Sequence, residues 1–135
     1  MNKIELENRL IDFAVAIVKI VESMPSSKSA THIGGQMLRS GTSPALDYGE
    51  AQGGESRKDF IHKIKIVIKE LRETLVCLRI AQRAVLYDRI EELEKVIKEN
   101  NELISIFVKS AQTAESNNRL FDNRKTQVTI NKGNL

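Results

Sequence analysis

Four stretches of the chain repeat apolar residues at steps of three and four, the spacing that keeps side chains on one face of a helix. In the first, about residues 4–24, Leu6, Leu10, Phe13, Ile17, Ile20 and Val21 fall in line. Its centre, Phe13-Ala14-Val15-Ala16-Ile17-Val18, is apolar nearly all round, more than a single buried face requires. Pro25 and the run Ser26-Ser27-Lys28-Ser29 end this segment and offer a cap for the next. The second segment starts near Ser29. Ser40-Gly41-Thr42-Ser43-Pro44 predicts a break or kink in it, because proline lacks an amide donor and crowds the preceding turn. Helix resumes from Ala45 to Gln52, and Gly53-Gly54 stops it.

The third segment opens on Ser56-Arg57-Lys58-Asp59, which resembles a capping box with Asp in place of the preferred Glu or Gln. Phe60, Ile64, Val67, Leu71, Leu75 and Leu78 then share one face, and the pattern runs to about Tyr87. The fourth, about 90–113, follows Ile90, Leu93, Ile97, Asn100, Ile104, Phe107 and Ala111. Asn100 stands where an apolar residue belongs, and a buried Asn commonly fixes register or partner number at some cost in stability. From about Ser116 the chain is polar and loses its period, so a disordered tail is expected over 116–135. Short connections between four amphipathic helices predict an all-α fold over residues 1–115, an antiparallel up-and-down four-helix bundle.

Composition agrees. With 135 residues the chain can bury one substantial core, and its 4% aromatics, absent Trp and two prolines suit long helices better than a β-sandwich. A single cysteine, Cys77, can form no internal disulfide. The acidic start of the chain is not that of a signal peptide, and the longest apolar run, residues 13–18, is too short to span a bilayer. A cytoplasmic protein without a membrane partner is expected. The net charge of +3 sits wholly in residues 109–135, where five cations face two acids.

Catalytic chemistry finds no foothold. Residues 49–56 place two glycines five apart before a Ser, as a phosphate-binding loop does, but Glu55 occupies the lysine position and no strand precedes it. Asp59 and His62 lie three apart on one helix, yet a di-iron bundle needs a second such motif, and His32 has no acid within a helical turn. Cys77 has no neighbour that marks a nucleophile and reads as a packing residue. No enzyme activity, metal, cofactor or small-molecule substrate is expected.

The polar side of the third helix is patterned. Lys58, His62, Lys65, Lys69, Arg72, Val76, Arg79 and Arg83 follow in steps of four and three, while Asp59, Glu70 and Glu73 gather on the adjoining side with Ile66, Cys77, Ile80 and Ala84. One reading is a solvated face laced with pairs such as Lys69–Glu73. The other lets the stripe track phosphates, and buries the mixed strip and the apolar first helix against another copy of the chain.

The stretch from Gln36 through Arg39-Ser40-Gly41-Thr42-Ser43, Glu50-Ala51 and Ser56-Arg57-Lys58-Asp59-Phe60 to Arg72-Glu73-Thr74 is distinctive. It resembles the four-helix-bundle proteins encoded in intervening sequences of bacterial 23S ribosomal RNA genes, most strongly over 36–80. The helix layout is similar from about 8 to 113. The family is related to the accessory variability determinant of diversity-generating retroelements, a basic bundle linked with nucleic acid. The resemblance implies an up-and-down bundle assembled into a ring-like homopentamer. This chain departs from it at Leu75-Val76-Cys77-Leu78, where relatives often carry aromatics. The matched positions read as structural rather than catalytic, and Arg39, Glu50, Glu70 and Glu73 are expected to form part of a structural polar network; where that network is at least partly buried, losing Arg39 would cost about 3 kcal/mol or more.

Two functions therefore stay open. The first is a homo-oligomeric module that binds RNA or DNA through Lys58, Lys65, Lys69, Arg72, Arg79 and Arg83. The second is a protein-interacting scaffold or regulator whose basic stripe is only solvated.

Overall fold

The computed structural model describes the chain except residues 54, 55, 134 and 135 and the side chains at 121, 122 and 125–133. Four helices follow one another: α1 (Lys3–Glu22), α2 (Lys28–Ala51), α3 (Arg57–Arg83) and α4 (Ile90–Gly133). Each packs on the next and α1 meets α4, while the backbones approach across neither diagonal. That is the four-cornered, up-and-down bundle which short connections favour. No strand occurs among the described residues.

Local chemistry sets each helix start. Asn2 and Glu5 form a reciprocal capping box on α1. Ser27 caps α2, and Ser56 caps α3 by accepting from the Asp59 amide at 3.2 Å. The core is aliphatic: Leu10, Ile17, Met37, Ile64, Leu71, Leu78, Leu93 and Leu103 lose all or nearly all contact with solvent around Phe107. Burying each such side chain contributes about 1.5–3 kcal/mol. Tyr48 of α2 meets Phe107 of α4 edge to face across the centre, ring centroids 5.4 Å apart.

Three boundaries differ from the sequence reading. First, α2 is one unbroken helix through Pro44 rather than two pieces. Proline inside a helix costs about 3 kcal/mol. Here Met37, Ser40 and Gly41 on one side of it, and Tyr48 and Ala51 on the other, are all buried against the same core, so packing holds the helix together. The helix stops before Gly53, while Gly54 lies outside the described residues.

Second, α4 continues as helix to Gly133, past the end that periodicity set near 113. No proline or glycine stands between Ile90 and Lys132 to stop it. The polar segment from 116 thus carries on the helical backbone, though most of its side chains lie outside the described residues.

Third, α3 ends at Arg83, short of Tyr87. The Leu86 amide donates to the Ala81 carbonyl at 2.8 Å and the Val85 amide to the Gln82 carbonyl at 3.3 Å. This double closure places Val85 in the left-handed region, φ 54°, a position that normally belongs to glycine. Tyr87 is thereby turned inward, and its hydroxyl donates to Glu92 at 2.6 Å. Because Val85 is itself 75% exposed, its side chain gives back little for the strain. Val85→Gly should therefore stabilise the fold by about 1 kcal/mol, seen as a higher urea midpoint. Val85→Ala keeps a Cβ and should give no comparable gain; equal gains from both would refute the strain account.

Asn100 is fully buried. With its amide oriented so that both ends find partners, it donates to the Leu71 carbonyl at 2.9 Å and accepts from the Leu75 amide at 3.2 Å. It therefore fixes the register of α4 on α3. On the other side of α4, Arg9 of α1 grips Glu99 at 2.6 Å and Glu102 at 2.5 Å.

Candidate functional site

Three consecutive residues of α2 hold three separate junctions. Arg39 donates to Glu73 of α3 at 3.0 Å. The hydroxyls of Ser40 and Thr74 share a buried hydrogen bond of 2.8 Å. Gly41 lies so close to α1 that a Cβ would stand 2.8 Å from two carbons of Ile17. The Arg39-Ser40-Gly41 motif is thus a packing device that joins α2 to both neighbours.

The polar network is smaller than expected, and Glu50 is outside it. Eleven residues separate Arg39 from Glu50, about 16 Å along a helix. Glu50 pairs instead with Lys63, 3.6 Å away. The Arg39–Glu73 pair is exposed, with side chains 58% and 38% accessible, and such pairs are worth at most about 1 kcal/mol. Loss of Arg39 should therefore cost far less than a buried network would.

Glu70 has a different partner, Asp47, which sequence reading passed over. Burial first, then the hydrogen bond and charge of Asp47 and the charge of Glu73, push the Glu70 carboxyl up to about 8, with Arg39 pulling the other way. Its Oε2 is buried and has no hydrogen-bond partner among the described residues. The folded protein thus keeps a proton that the unfolded chain releases near the ordinary value of 4.5. Stability should be fullest below about pH 4.5 on this group's account and fall as pH rises to about 8. Urea midpoints of Glu70→Gln, which imitates the protonated acid, should lack that fall; an unchanged pH slope would show that another group causes it.

The basic stripe stands clear of all this. Lys58, Lys65, Lys69, Arg72, Arg79 and Arg83 are all exposed on one side of α3 and extend about 37 Å along it. The Lys69–Glu73 pairing does not form, because Glu73 turns to Arg39. Among the described residues only Lys65 of the six has a carboxylate in reach, Glu115 of α4 at 2.8 Å. The proximity of Lys65 holds the Glu115 carboxyl below its usual value. Cations without a paired carboxylate are not neutralised locally and stay available to an anionic ligand.

Beside the stripe, α3 and α4 enclose an open groove of about 550 Å³. Ile68 and Val76 of α3 and Val108 and Ala111 of α4 make its floor; Lys65, Lys69 and Arg72 stand at its edge. Sequence reading could not show this, since half of the floor comes from another helix.

A second surface lies on α1 and α2. Ile4, Ile11, Val15 and Val18 form an exposed aliphatic line on α1, and Leu38 and Leu46 are exposed on α2. The mixed strip of α3 adds the partly accessible Ile66 and Cys77 and the exposed Ile80. Burial and the neighbouring Glu73 charge raise the Cys77 thiol above its usual value, which keeps it protonated and unsuited to nucleophilic attack.

Asp59, His62 and His32 are exposed, and no group of three or more His, Cys, Asp or Glu among the described residues could hold a metal. No helix among them is long and apolar enough to cross a membrane.

Comparisons with known proteins agree with this architecture. None of the curated proteins matches the chain. Among solved structures, a protein of unknown function from the S23 ribosomal protein family of Bacteroides thetaiotaomicron is 28% identical, with a TM-score of 0.75. The match covers 83% of this chain and 99% of that one. The 23S rRNA-intervening sequence protein family matches residues 2–109, which takes in α1 to α3 and the first part of α4, and the chain belongs to that family.

Proposed function

We propose that this protein is a non-enzymatic, cytoplasmic homo-oligomer that binds RNA or DNA through the basic stripe of α3. One observation carries the reading: five exposed cations of one helix have no carboxylate in reach among the described residues, while the acids Glu70 and Glu73 of the same helix are engaged elsewhere. Charge left free along about 37 Å of a rigid rod suits an extended polyanion. Few aromatics are present to stack bases, so phosphate contacts dominate and sequence preference is low.

Self-association uses the aliphatic surface of α1 and α2 with the mixed strip of α3, on the side of α3 away from the α4 groove. Exposed aliphatic side chains gathered in this way are a common mark of a protein interface. The family resemblance supplies the number five and the ring. Five copies would multiply the stripe and raise avidity for a long strand.

A gel-shift titration of purified protein with RNA and DNA, at two salt concentrations, tests the reading. Binding should weaken linearly on a log–log plot against salt, by about 0.7–0.9 for each phosphate neutralised. No shift of either polymer at low salt would leave the scaffold reading in its place.

A further inference from the structure

Phosphate binding alone does not account for what lies beside the stripe. The three central cations, Lys65, Lys69 and Arg72, border an apolar floor made by Ile68, Val76, Val108 and Ala111. Val76 falls within the line of cations itself and is 55% exposed. Apolar surface of this sort is costly to leave in water and contributes when something apolar covers it.

We infer that stripe and groove together hold a single strand, with its phosphates along α3 and its bases laid against the floor between α3 and α4. This rests on the nucleic-acid reading above and deepens it by naming the form of the polymer. A duplex buries its base faces in its own stack and offers a protein phosphates and groove edges. The floor would gain nothing from it. A single strand carries both kinds of surface side by side, and its base faces are free to leave water.

The charges of the groove agree. Glu115 of α4 also lines it and opposes a phosphate on that side while tolerating neutral bases, whose N–H groups a carboxylate can accept from, whereas Glu73 of α3 is held by Arg39. Phosphates are thereby kept to the α3 edge. The length of the stripe separates a strand from an acidic amphipathic helix, which would also meet an apolar floor with a basic edge. Lys58 precedes the groove-lining residues of α3, and Arg79 and Arg83 follow them, so the cations continue where a helix seated in the groove would have no further use for them.

The test is fluorescence anisotropy with labelled oligouridylate and oligothymidylate, an abasic strand of equal length, the matching duplex, and polyglutamate. The single strands should bind about tenfold more tightly than the abasic strand, since the apolar contact of the bases with the floor is lost from it. Val76→Gln and Val108→Thr, which leave the charge unchanged, should weaken single-strand binding about tenfold and leave duplex and abasic binding as they were. Unchanged thermal melts would show that both variants fold. If single strand, abasic strand and duplex bind alike and the variants change none, the floor has no role and the inference fails, although phosphate binding stands. Polyglutamate bound as tightly as oligouridylate would overturn it in the same way. If no polymer binds at low salt, the nucleic-acid reading itself falls.

Discussion

Reversing Lys65, Lys69 and Arg72 to Glu should abolish measurable binding of RNA and DNA while leaving the fold and the oligomer intact. All three side chains are exposed on the same stretch of α3, and none supports the core. The substitution removes three phosphate contacts and adds three repulsive charges in each protomer. Losing the contacts alone should flatten the log–log salt slope by about 2–3 per protomer in contact, at about 0.7–0.9 for each phosphate. Single neutral changes should act in steps, with one expected exception. Lys65 is already held by Glu115, so Lys65→Ala should matter less than Lys69→Ala or Arg72→Ala. Deleting residues 117–135 should cost less than the triple reversal, because the stripe and not the tail leads the contact. Equal losses from the deletion would move the binding surface to the tail. A triple variant that binds as well as the parent would end the stripe hypothesis.

Val15→Asp should take the protein apart into monomers. Five chains of 15.2 kDa give a particle of about 76 kDa by light scattering, and the variant should fall to the mass of one chain. Val15 is the middle of the exposed aliphatic line on α1 and is 45% accessible in the single chain, so an aspartate there is tolerated by the monomer. In an apolar interface the same carboxylate would be buried without a partner in every copy, which costs several kcal/mol each time. Ile11→Asp should repeat the result, and Asp12→Asn, on the neighbouring polar side of α1, should not. Circular dichroism should still report a helical, cooperatively melting protein. A parent protein that scatters as a monomer at micromolar concentration would remove the ring and the avidity built on it.

The sequence by itself determined the number of helices, their order and most of their inner faces. Leu10, Ile17, Ile64, Leu71, Leu78 and Phe107 are buried where the three-four rhythm put them, because the period of a helix is set by its backbone and not by its neighbours. The stripe was legible for the same reason: six cations in steps of three, four and seven can only share one side of a helix. Asn100 was identified as a register-setting residue, and its bonds to Leu71 and Leu75 show which helix it aligns.

What only the tertiary structure decided concerns contacts between helices. Pro44 read locally as a break, yet burial on both sides of it outweighed the lost amide bond. Val85 gave no sign of a helix end, since a valine there is strained and is held only by the turn that brings Tyr87 into the core. Arg39 and Glu50 share a helix but sit at different heights, so Glu73 took the first and Lys63 the second. The groove exists only where α3 and α4 lie side by side. A helix announces its faces through its own period, but which side chain of another helix fills the space beside them depends on crossing and register, and no local pattern encodes those.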